Sequence, residues 1–221
     1  MSHDCPRSPL GRTNPVPALI LFGPTGAGKT PLGRLIESRG LHGKAWRHLD
    51  FGEELRRAAG DSDSTSAFNP DEREVVRRIL EEHRLLYDDE LWIAERILRD
   101  FINRGSALPE GAWGGIVLNG LPRNMRQVEL VGRYCGPCLI VELSADVATI
   151  RERLRTNPGG DRGGRADDTP DAVASKLEWY RRETEPLIKL YRGMGCAAVQ
   201  IPISSDTAPE ETYAALNRML R

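Results

Sequence analysis

The sequence predicts an α/β fold built on a parallel sheet with helices over both faces. Three observations carry that expectation. Residues 18–22, 115–119 and 138–143 are short runs too uniformly apolar to be strands with one wet face. Helical patterns separate these runs, as strand–helix–strand units require. The length of 221 residues suits one core with insertions better than two domains.

The elements follow in order. Residues 1–17 hold four prolines and no periodic apolar pattern, and are expected to be a flexible tail outside a single domain at 18–221. Residues 18–22 form a buried strand, and a helix runs from Gly28 to Arg39 and stops at Gly40. Residues 47–49 suit a short strand. From Phe51 to Leu98 the pattern is helical and charge-rich, with a polar break at 60–66. Residues 115–119 form a strand, 125–134 a helix, 138–143 a strand and 146–155 a helix. Residues 157–165 contain four glycines and a proline, which predicts a mobile loop. Thr169 is placed to cap a long helix to Tyr191, with Pro170 at its first position. A strand at 197–201 and a helix at 209–220 complete a five-stranded sheet.

Composition excludes some classes. The formal net charge is −1, from 31 basic and 32 acidic residues, which disfavours nucleic acid as a bulk electrostatic partner. The basic set is 27 Arg and 4 Lys. That imbalance fits either a composition bias or phosphate recognition by the guanidinium fork. No run approaches the length of a membrane span, and the first residues lack an apolar stretch of signal-peptide length. Four cysteines are too few for a disulfide scaffold, so a reducing cytoplasm and no membrane partner are expected.

One segment carries chemistry by itself. Gly23-Pro24-Thr25-Gly26-Ala27-Gly28-Lys29-Thr30 matches G-x-x-x-x-G-K-[ST], directly after a predicted strand and at the start of a predicted helix. Glycines there let backbone amides cradle phosphates at a helix N-terminus. Lys29 would reach the β- and γ-phosphates, and the Thr30 hydroxyl would ligate Mg²⁺. The pattern predicts a P-loop NTPase three-layer fold with a nucleotide triphosphate as ligand. It does not specify the reaction.

Further segments narrow the choice. His48-Leu49-Asp50-Phe51-Gly52-Glu53-Glu54-Leu55-Arg56 resembles the segment H-[LI]-S-T-G-D-L-L-R of adenylate kinases. Asn119-Gly120-Leu121-Pro122-Arg123, with Gln127 beyond it, resembles the signature D-G-F-P-R-x-x-x-Q. Asp89-Glu90-Leu91 is similar to the D-E-L that closes the acceptor-binding insertion. Arg165-Ala166-Asp167-Asp168, Tyr180 and Thr184-Glu185-Pro186-Leu187 are similar to G-R-x-D-D…Y…T-x-P-[LI]. The matches run in the family's order from about residue 18 to residue 220.

The resemblance implies a nucleoside monophosphate kinase that moves the γ-phosphoryl group of ATP to AMP with Mg²⁺, as a monomer. It implies a helical acceptor-binding insertion at about 51–87 and a short lid at about 154–168. Catalytic roles fall to Lys29, Arg123, Arg165 and Lys176. ATP contacts fall to Gly23, Thr25, Gly26, Ala27, Gly28, Lys29, Thr30 and Arg153. Acceptor contacts fall to Phe51, Gly52, Arg56, Tyr87, Gly120, Arg123, Gln127 and Arg165, and Asp167 and Asp168 would anchor lid arginines. Two alternatives stand beside this: a P-loop kinase for another small acceptor, and a nucleotide-binding module with impaired catalysis.

Departures from the family pattern bear on the site. Lys29-Thr30-Pro31 stands where Lys-Gly-Thr is usual, Asp50-Phe51 where Ser-Thr is usual, and Asn119 where Asp is usual. Lys176 and Asn157 replace expected arginines. The lid has no Cys, so zinc is not expected there. Cys135-Gly136-Pro137-Cys138 matches a redox tetrapeptide but follows a helix, and is expected to be a turn.

Overall fold

The computed structural model describes residues 15–60, 68–82, 84–104, 113–160 and 169–220. Five parallel strands form one sheet: β1 (Val16–Phe22), β2 (Ala45–Asp50), β3 (Trp113–Asn119), β4 (Cys135–Ser144) and β5 (Ala197–Pro202). Their spatial order is β2-β3-β1-β4-β5. β1 lies at the centre because residues 18–22 are all buried and offer water no polar face.

Side chains alternate across a strand, so β1 feeds two apolar layers. Ala18, Ile20 and Phe22 pack with residues of α2 (Phe51–Ala59), α3 (Pro70–Glu81), α4 (Leu91–Asn103), α5 (Met125–Tyr134) and α8 (Glu185–Gly193). Leu19 and Leu21 pack with α1 (Lys29–Arg39), α6 (Val147–Thr156) and α9 (Pro209–Met219). A further helix, α7 (Pro170–Trp179), precedes α8.

Four of these helices start as their sequences direct. Asn69 and Glu72 form a reciprocal capping box on α3, while Asn124, Asp146 and Thr169 cap α5, α6 and α7 through their side chains.

Three expectations change. β1 begins at Val16, so residues 16 and 17 belong to the sheet and not to the tail, and residues 1–14 lie outside the described residues. The helix expected from 169 to 191 is interrupted by a π-helical turn at Tyr180–Thr184. Pro186 has no amide to donate to the carbonyl four residues back, and Glu185 N–H reaches Tyr180 O instead. The Cys135–Cys138 segment is not a turn but the start of β4. Pairing jumps from Ala18↔Pro137 to Leu19↔Leu139, so Cys138 is the extra residue of a β-bulge. Pro137 lacks a donor for the ladder, and Cys138 Sγ turns to Ala18 O at 3.4 Å.

The sheet order also fixes where a ligand can sit. The chain leaves β1 for β2 on one side and later reaches β4 on the other. Connections therefore diverge at the C-terminal end of β1, the crevice where such sheets bind ligands.

Candidate active site

A cavity of about 670 Å³ opens at that crevice. The loop Gly23–Thr30 forms one wall. Gly28 has φ +98° and occupies the N-cap of α1, a conformation that strains any residue with a Cβ. No side chain caps α1 and its first turn has no acid, so its dipole presents positive potential to the loop. Lys29 Nζ donates to Gly23 O at 2.6 Å and Pro24 O at 2.7 Å, folded over the loop that it would serve.

Behind the loop lies a buried polar cluster. The sheet register sets Leu21 of β1 beside Asn119 of β3, and Asn119 beside Asp50 of β2. Thr30 Oγ1 donates to Asp50 Oδ2 at 2.6 Å, and Asn119 Nδ2 donates to the same oxygen at 2.8 Å. Asn119 Nδ2 also lies 3.0 Å from Thr30 Oγ1. Asp50 Oδ1 accepts the Glu53 amide at 3.1 Å and so caps α2. Asp50 was not among the residues expected in the site. Its sequence signal was an acid at a strand end with Glu53 three residues on, which reads equally as a helix cap.

These oxygens suit a hard cation such as Mg²⁺, which favours one or two carboxylates together with substrate phosphates. Among the described residues no group of three or more His, Cys, Asp or Glu is placed to hold a metal alone.

The wall where the acceptor is expected is arginine-rich. Arg56, Arg84 and Arg123 line the cavity with Leu55, Ile79, Leu80 and Leu85. Gly120 has φ +83°, and a Cβ there would come within 3.0 Å of Arg123 Nη2. Arg123 Nε donates to Gly120 O at 2.9 Å, and Thr184 Oγ1 donates to Arg123 O at 2.8 Å. Arg84 was not anticipated. It makes a two-pronged pair with Glu90 at 2.6 and 2.7 Å, and its guanidinium lies over the Tyr87 ring. The Glu90 hydrogen bonds raise the Arg84 pKa, and Arg84 holds the Glu90 carboxyl below its usual range.

Other expected residues stand elsewhere. Gln127 is 1% exposed, and its Oε1 accepts the Arg123 amide at 2.7 Å. Phe51 is buried in the core, and Tyr87 is 60% exposed. None of these three lines the cavity, whereas Gly52 and Gly120 do.

Of the residues expected to contact ATP, Gly23, Thr25, Gly26, Gly28, Lys29 and Thr30 line the cavity, and Ala27 is buried behind it. Arg153 also lines it but is only 4% exposed. Its Nε donates to Gly26 O at 3.0 Å, and its Nη1 to Ser204 O at 2.7 Å and Thr207 O at 3.0 Å. It ties the phosphate loop to the segment after β5. Lys176, Trp179, Tyr180 and Thr184 reach the cavity from α7 and the π-helical turn. Arg165, Asp167 and Asp168 lie outside the described residues.

A phosphate loop facing arginines across a crevice at the C-terminal edge of a parallel sheet is the layout of a P-loop kinase. Sequence comparison narrows the class. An adenylate kinase of Parvibaculum lavamentivorans is 33% identical over 184 residues, covering 80% of this chain and 80% of its own. One of Phenylobacterium zucineum is also 33% identical over 184 residues, covering 80% and 85%. One of Brucella anthropi is 28% identical over 213 residues, covering 91% and 97%. The chain belongs to the adenylate kinase family and is a nucleoside monophosphate kinase, a phosphotransferase. No protein-family model matches it. The crystal structure of a sugar kinase from Janibacter sp. HTCC2649 superposes with a TM-score of 0.53 at 14% identity, covering 93% of this chain and 95% of that one. That likeness concerns the fold alone.

Proposed function

We propose that the chain transfers the γ-phosphoryl group of ATP to a nucleoside monophosphate in the presence of Mg²⁺, with AMP as its best acceptor. The observation that carries this reading is a single cavity with the phosphate loop on one wall and Arg56, Arg84 and Arg123 on the other. The apolar side chains Leu55, Ile79, Leu80 and Leu85 beside those arginines suit a base attached to a phosphate. Relatives named adenylate kinase support AMP. The cavity walls from α2 and α3 support residues 51–87 as the acceptor-binding insertion, with 154–168 as the cover.

Phosphoryl transfer asks the protein for positioning and charge neutralisation more than for covalent chemistry. The loop amides and α1 dipole bind the ATP phosphates, and Lys29 exchanges its two loop carbonyls for phosphate oxygens. Arg123 and Arg56 hold the acceptor's phosphate in line with the γ-phosphoryl group. Lys176 approaches from α7, and the family resemblance assigns Arg165 to the transferring group as well. Mg²⁺, when bound beside Thr30, would neutralise charge on the β- and γ-phosphates. The impaired-module reading drew on Asn119 and Lys176; the Asp50 carboxylate 2.8 Å from the Asn119 amide offers a charge that Asn119 lacks.

A coupled assay with ATP, Mg²⁺ and a panel of AMP, GMP, CMP, UMP, dAMP and TMP tests the reading. AMP should give the highest kcat/KM. A pyrimidine monophosphate exceeding AMP would overturn the base assignment. No turnover with any of them would overturn the kinase reading in favour of a binding module.

A further inference from the structure

We propose that Asp50 is the carboxylate through which this chain holds the shell of a nucleotide-bound Mg²⁺, with Asn119 as its positioning partner. The proposal rests on the phosphoryl-transfer reading above. Asp50, Asn119 and Thr30 all line the cavity, and all three side chains are largely buried. Only one of them carries a charge, and that charge sits on β2, one strand beyond the neighbour of β1.

Hydrogen bonding separates a metal role from a capping role. As the cap of α2, Asp50 uses Oδ1. Its Oδ2 has no part in the cap, yet it collects the Thr30 hydroxyl and the Asn119 amide. Asn and Ser cap helices about as well as Asp does, so the cap does not call for a charge. A threonine hydroxyl has one hydrogen and two lone pairs. The Thr30 hydrogen is directed to Asp50 and one lone pair accepts from Asn119 Nδ2 at 3.0 Å, which leaves the second lone pair for a cation in the cavity. That pairing of a loop hydroxyl with a neighbouring carboxylate is how P-loop enzymes hold Mg²⁺. Asn119 supplies no charge, but its amide fixes the Asp50 oxygen against Thr30. A second acid at position 119 would instead place two carboxylates side by side.

Calorimetric titration of the full chain with a non-hydrolysable ATP analogue, in Mg²⁺ and in EDTA, tests this without reference to turnover. Wild type should bind more tightly with Mg²⁺. In Asp50→Asn and Asp50→Ser, both competent caps, that gain should fall about 10- to 100-fold while binding in EDTA changes little. Asn119→Leu, which keeps the carboxylate and deletes its amide donor, should lower the gain by less. Asp50→Ser combined with Asn119→Asp should restore most of it by moving the charge one strand over. Thermal unfolding checks that each variant is folded. An undiminished Mg²⁺ gain in either folded Asp50 variant, or no gain in wild type, overturns the proposal. A Mg²⁺ gain in wild type that falls in the Asp50 variants, with no turnover on any acceptor, supports it and counts against the kinase reading alone.

Discussion

The two sides of the cavity are held in different ways. On the ATP side, the fixing contacts lie within the phosphate loop or reach it from buried groups: Lys29 on Gly23 and Pro24, Arg153 on Gly26. On the side proposed for the acceptor, arginines reach the cavity from separate elements, and Phe51, Tyr87 and Gln127, expected to contact the acceptor, lie off its wall. Phosphate recognition is therefore a local property of a short segment. On the proposed reading, base recognition depends on how α2, α3 and α5 pack.

The largest effect should come from breaking the local side. Lys29→Met should lower turnover by at least about 100- to 1,000-fold, because it removes the cation aimed at the transferring phosphates. Its circular dichroism should match wild type. Near-normal turnover would remove the phosphate loop from the mechanism.

Arg153→Met should act first on stability. It strips the charged donor from the carbonyls of Gly26, Ser204 and Thr207, and should cost about 2–4 kcal/mol in urea unfolding. A loss of nucleotide affinity with unchanged stability would instead make Arg153 a direct ligand only.

Gln127→Leu sharpens the contrast on the other side. Its Oε1 holds the Arg123 amide, so its loss should displace Arg123 and raise KM about tenfold for every monophosphate alike. A rise confined to AMP would place Gln127 at the base after all.

His48 tests a smaller effect behind the loop. Burial lowers its pKa, although Asp50, Glu37 and Glu53 pull upward, and its Nε2 has no hydrogen-bond partner. The unfolded chain therefore takes up a proton as pH falls through about 6.5, while the folded chain keeps His48 neutral. Stability from this group is full above that pH and is lost on acidification toward the lower folded value. Between about pH 7 and pH 5 the wild-type Tm should fall more than that of His48→Gln. Parallel profiles would exclude His48 as the source.

The smallest effect is expected from Cys135→Ala with Cys138→Ala. Both lie at the N-terminal end of β4, the opposite edge of the sheet from the phosphate loop. Turnover should stay within about twofold, as for changes remote from a site. A dithiol-dependent disulfide reductase activity lost in that variant would restore the redox reading.

The sequence alone determined whatever is local. The phosphate loop was legible because its residues are contiguous and its glycine needs are backbone needs. The central strands were legible because uniform apolarity leaves only a doubly covered position. Alternation of strands and helices then implied the parallel sheet. Tertiary structure decided what depends on distant partners. The Thr30–Asp50–Asn119 cluster joins residues 20 and 89 positions from Thr30, and only the β1–β3–β2 register brings them together. Cys135–Cys138 looked like a turn, but pairing with β1 outweighed Gly-Pro turn chemistry and absorbed the misfit as a bulge at Cys138. Gln127 and Phe51 have the chemistry to read a base, but packing turned both into the interior. Residue type sets what a side chain can bind, but its direction is chosen by the elements packed around it, and that choice is not written in any one segment.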